Sequence, residues 1–146
     1  MKNLYSGLNS SISAFLLLVT VTLTLGGCTA LPTKNVAETM KIKASALTKL
    51  SAAVEATVQY DTPDINLSDK ELLSISTQDE PNMLDPFAGY TLKVNREFNH
   101  AIILVCNAEG TKGLLEDAGC SGALDKYLWE KGSLCEFTLS ANVICD

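Results

Sequence analysis

The chain has 146 residues, 47% of them apolar, and sets 11 Lys and Arg against 17 Asp and Glu, for a net charge of −6 and a pI near 4.7. That length holds one small domain, not two, and the apolar share excludes a wholly disordered chain. So acidic a chain is a poor nucleic-acid binder, because phosphate-backbone affinity comes from clustered cations.

Residues 1–11 carry one cation, Lys2, and no acid, and residues 12–25 (ISAFLLLVTVTLTL) carry no charge. Fourteen helical residues span about 21 Å, short of the roughly 30 Å hydrocarbon core of a bilayer. That is the length of a signal-peptide apolar region. Leu25-Gly26-Gly27-Cys28 follows at once.

This segment resembles a bacterial lipoprotein signal peptide, whose lipobox reads Leu, a small residue, Gly or Ala, then Cys. Gly26 stands where Ala or Ser is more usual. The resemblance implies cleavage of residues 1–27 and acylation of Cys28, with palmitate-type chains on the thiol glyceride and the new amino group. Thr29, not Asp, follows the cysteine, which implies the periplasmic face of the outer membrane in an organism with two membranes. Several acyl chains make such an anchor effectively permanent. Loss of residues 1–27 removes Lys2 and no acid, so the remaining chain is more acidic still.

Residues 28–35 read as the lipidated cysteine and a short tether, with Pro32 inside it, and residues 36–146 as a single α+β domain. Val36, Met40, Ala44, Leu47, Leu50, Val54 and Val58 recur in steps of three and four. At 100° per residue they fall within about 120°, one stripe of a long amphipathic helix. Glu38, Ser45, Lys49 and Ala56 lie opposite, and Ile42 is the apolar exception there. Asp61-Thr62-Pro63-Asp64 ends the helix, since proline disfavours helical geometry just before itself. Ser68 and Glu71, three apart and followed by Leu72 and Leu73, have the form of a capping box, with a short helix to Ser76. Residues 77–86 are acidic, hold two prolines and read as loop, with one helical turn at Met83-Leu84.

Tyr90 to Val94 alternates with period two, and residues 98–106 (FNHAIILVC) are mostly apolar and rich in β-branched residues, as strands require. Asn107-Ala108-Glu109-Gly110 is a turn, with Gly110 free to take positive φ. Residues 112–116 return as a third strand. Leu124, Tyr127 and Leu128 suggest a short helix, and residues 135–139 and 143–145 final strands. The expected architecture is one long helix packed on a small antiparallel β-meander, with a disulfide-stapled C-terminal half.

Besides Cys28, four cysteines remain: Cys106, Cys120, Cys135 and Cys145. Their number is even, no pair has zinc-knuckle or CxxC spacing, and an exported protein meets an oxidising compartment. Two disulfides are expected. Cys120 and Cys135 flank the 124–128 helix, which favours Cys120–Cys135 with Cys106–Cys145 among the three possible pairings.

The sequence offers little catalytic chemistry. His100 is the only histidine, no serine lies in a nucleophile elbow, and a lone histidine makes a poor metal site. The carboxylates of Glu116-Asp117 and of residues 79–85 read as a solvated face. Gly110-Thr111-Lys112-Gly113 lacks the order of a phosphate loop. Trp129 falls off the stripe of Leu124, Tyr127 and Leu128, so Tyr127 or Trp129 is partly exposed, either as a partner contact or, for Trp129, as a cover over the disulfide. The functional expectation is an envelope lipoprotein without catalysis, metal or cofactor. It would be held to the membrane through Cys28 and act on an envelope protein as a binding, accessory or assembly factor. The alternatives are a small periplasmic hydrolase using His100 and the acidic loop, and a pilin-like subunit.

Overall fold

The computed structural model describes residues 33–121 and 127–145. The expected signal peptide, Cys28, most of the tether and Leu124 lie outside them. Helix α1 (Thr33–Ala56) continues through a π-helical turn, Thr57–Asp61, and stops at Thr62 in the left-handed conformation, φ 43°. It starts inside the expected tether, since nothing in residues 33–35 breaks a helix. Its stripe is buried from Met40 to Val58, with Leu47, Leu50 and Val54 fully so, while Val36 and Ile42 stay exposed. No helix among the described residues is long and apolar enough to cross a membrane.

Helix α2 (Asp69–Ser76) opens with the expected capping box: Ser68 Oγ accepts from the Glu71 amide, and the Glu71 carboxylate accepts from the Ser68 amide. Those bonds hold the Glu71 carboxyl below its usual range, the Ser68 hydroxyl foremost. Leu72 and Leu73 are buried beneath it. The acidic loop is more ordered than expected, forming a 3-10 helix over Pro81–Phe87. Lys43 Nζ donates to the Pro86 carbonyl and lies 4.5 Å from the Tyr90 ring centre, tying that turn to α1.

Strands β1 (Thr91–Glu97), β2 (His100–Cys106) and β3 (Gly113–Ala118) form an antiparallel sheet in the order β1-β2-β3. Side chains alternate faces along a strand. Ala101, Ile103 and Val105 join the α1 stripe in the main core, and Ile102, Leu104 and Cys106 meet the C-terminal segment on the other face. Both faces of β2 are covered, which is why its apolar run hardly alternates. The expected α+β arrangement of long helix and meander is present.

The two final strands are not. Leu134 makes one isolated bridge to Lys112, residues 135–140 carry no ladder, and residues 141–144 form the short helix α4 (Ala141–Ile144), after α3 (Leu128–Lys131). Beyond Cys135 the segment lies over the sheet face, where side chains bond its backbone. Buried Glu116 accepts from the Thr138 and Leu139 amides at 2.9 and 3.0 Å and from the Thr138 hydroxyl.

That path fixes the disulfides as Cys106–Cys135 and Cys120–Cys145, not the pairing favoured by spacing. Cys106 pairs with Gly113 at one end of β3, and the Cys135 amide donates to the adjacent Thr111 carbonyl. Cys120 follows the other end of β3, roughly 20 Å away at strand rise. The chain from Cys135 crosses the face and delivers Cys145 there.

Candidate functional site

The β1–β2 hairpin turns through two residues, Phe98 and Asn99, between the paired Glu97 and His100. Two-residue hairpin turns put their first central residue at positive φ, a place glycine usually fills. Here it is Phe98, at φ 55° and 84% exposed. A bulky residue held there costs of order 1 kcal/mol or more, and so exposed a ring recovers little of it by burial.

Beside this tip lies a cavity of about 520 Å³ lined by Val58, Thr62, Pro63, Ile65, Arg96, Phe98 and Asn99. Its far wall is the loop leaving α1. Arg96 shapes that loop: its guanidinium donates to the carbonyls of Asp64, Ile65 and Leu67. Ile65 is 82% exposed, so two large apolar side chains flank one groove. On the other side of the tip, a cavity of about 390 Å³ is lined by Phe98, Asn99, His100 and Asn142.

His100 is no isolated strand histidine. Its Nδ1 lies 2.5 Å from Glu55 Oε1, across the seam between α1 and β2. Glu55 is buried, and its carboxylate also accepts from Gln59 Nε2 and the Ala101 amide, both at 2.7 Å. An ionised carboxylate only accepts, so this contact calls for a proton on His100 Nδ1. One turn earlier, Ser51 Oγ donates to Asp117 Oδ2 at 2.8 Å. The helix and sheet approach closely there: a Cβ on Gly119 would sit 2.3 Å from the Ser51 carbonyl and 2.4 Å from Glu55 Cβ.

Glu116 and Asp117, expected on a solvated face, are fully buried. They are structural acids, Glu116 pinning the C-terminal segment and Asp117 bonded to α1. Asp79, Glu80 and Asp85 in the acidic loop are exposed, and His100 Nδ1 bonds Glu55, not that loop. Tyr127 is 42% exposed. Trp129 is half-buried against the main core, with its indole N–H unpartnered among the described residues. Sequence reasoning missed Glu55 and Ser51. Their signal was spacing: Leu47, Ser51, Glu55 and Gln59 follow at steps of four.

The chain matches no protein-family model, no curated protein and no solved structure.

Proposed function

We propose that this chain is a membrane-anchored envelope lipoprotein that acts by binding, as an accessory or assembly factor. Its anchor is the acylated Cys28, on the periplasmic face of the outer membrane where two membranes exist. Its contact surface is the groove between Phe98 and Ile65, filled by an apolar side chain of a partner protein. Tyr127 supplies a second exposed aromatic.

The observation that carries this reading is Phe98. A ring at positive φ, 84% exposed at a hairpin tip, gains little from burial within its own fold. Exposed aromatics beside a groove are what interfaces use as anchors.

The test separates binding from folding. Phe98→Gly relieves the backbone strain, so its melting temperature is expected to equal or exceed that of the wild type. Capture of the tagged, full chain from intact envelope should retain its principal partner for the wild type and for Ile42→Ser on the exposed face of α1. Phe98→Gly should lose that partner at least tenfold. An unchanged set of captured proteins for Phe98→Gly contradicts the assignment of the groove.

A further inference from the structure

We propose that His100, Cys120 and Cys145 form a redox-gated zinc site, with Glu55 as the positioning residue behind His100. A ring nitrogen of His100 and the sulfurs of Cys120 and Cys145 all lie within 4.8 Å of one another. The three residues are far apart in sequence, and no short Cys spacing marks them. The fold brings them together because His100 opens β2, Cys120 follows β3, and Cys145 is carried back over the face to the same end.

The second observation is the Glu55 contact. Histidines that bind a metal through one nitrogen commonly donate the other N–H to a carboxylate, which fixes the tautomer and strengthens the ligand. Glu55 stands in that place at 2.5 Å, itself held by Gln59 and the Ala101 amide. With Nδ1 turned to Glu55, Nε2 is the nitrogen assigned to the metal.

In the oxidised protein the two sulfurs are bonded to each other and the site is closed. A dithiol reductant opens it. The attacking dithiol becomes a disulfide, and Cys120 and Cys145 take up two electrons and two protons as thiols. Zn²⁺ then displaces both thiol protons into water and binds two thiolates and one imidazole. Its fourth position stays open to water or a ligand from the adjacent His100–Asn142 cavity, the arrangement of non-structural zinc sites. Tetrahedral geometry with Zn–S near 2.3 Å asks for sulfurs about 3.8 Å apart, a movement of side-chain size. The other disulfide does not compete at the same rate. Cys106 is fully buried and Cys135 nearly so, whereas Cys120 and Cys145 are only partly buried, and exchange depends on access.

This proposal stands apart from the docking reading and is tested on the full chain with zinc itself. The oxidised protein is treated anaerobically with graded dithiothreitol and desalted, and its free thiols are mapped by alkylation and mass spectrometry. It is then titrated with Zn²⁺ against a chromophoric chelator. Cys120 and Cys145 should alkylate before Cys106 and Cys135. The opened protein should bind one Zn²⁺ that protects both thiols, while the oxidised protein binds none. Glu55→Gln should weaken zinc 10- to 100-fold, and His100→Gln by at least tenfold. Because Glu55 also supports the fold, the melting temperature of each oxidised variant is read alongside. Earlier opening of Cys106–Cys135, no zinc uptake after opening, or equal affinity in folded His100→Gln would each overturn the proposal.

Discussion

Leu47 sits at the centre of the α1 stripe, with no exposed surface, in the cluster that also holds Ala101, Ile103 and Val105. A carboxylate there has no partner and no water. Leu47→Asp is therefore expected to lower stability by about 4 kcal/mol, enough to unfold a marginal domain. Ala56→Glu, on the exposed face of the same helix, should change it by less than about 0.5 kcal/mol. Thermal melts of the two variants check this, and equal melting temperatures would mean that α1 does not pack on its own sheet. The stripe was legible from spacing alone because burial follows the helical period. The polar residues of the same face were not. Ser51 lies inside the stripe and Glu55 about 20° beyond its edge at 100° per residue. A periodic pattern marks such residues as boundary positions without saying that Asp117, His100 and the Ala101 amide lie across from them. Glu116 and Asp117 were misread for the same reason. An acidic pair looks solvated until its long-range donors are known, and those donors come from Thr138, Leu139 and Ser51.

Among the elements, those set by local chemistry were legible: the capping box of α2, the proline-terminated α1, and the turn at Asn107. In that turn Gly110 takes φ 67° and Asn107 Oδ1 accepts from the Thr111 and Lys112 amides. The C-terminal segment was not legible, because the buried Glu116 and the partly exposed Glu97 organise it and no ladder does. Strands were expected there, yet the backbone N–H groups of Thr138 and Leu139 bond Glu116. The disulfides follow from that layout, and non-reducing peptide mapping should recover Cys106–Cys135 and Cys120–Cys145. A Cys120–Cys135 cross-linked peptide would contradict the path of the segment over the sheet. The contact of α1 with the end of β3 gives a second check. Gly119→Ala places a methyl against the Ser51 carbonyl, backbone that cannot turn aside. Overpacking of this kind costs about 1–3 kcal/mol, so the melting temperature should fall. An unchanged one would show that helix and sheet are further apart than described.

At the scale of the whole molecule, a three-stranded sheet is covered by α1 on one face and by a doubly cross-linked segment on the other. Each disulfide ties that segment to one end of the sheet, so the small second layer cannot peel from either end. Removing a native cross-link from a small domain typically costs about 2–5 kcal/mol. The hairpin tip projects Phe98 beyond these layers, and the proposed redox site lies beside it. In the proposed lipoprotein, α1 begins five residues after Cys28. Four intervening residues reach at most about 14 Å, which holds the domain close to the bilayer. Its acidity and that of an anionic lipid surface repel each other, so such a domain would stand on its tether with its binding surface free. That placement at the membrane depends on Cys28. The intact mass of the protein purified from envelope tests it most directly. The account predicts a chain beginning at Cys28 and heavier by its glyceride and acyl groups, with the acyl mass lost in Cys28→Ser. A mass equal to the unprocessed chain, or a processed chain with unmodified Cys28, would contradict it.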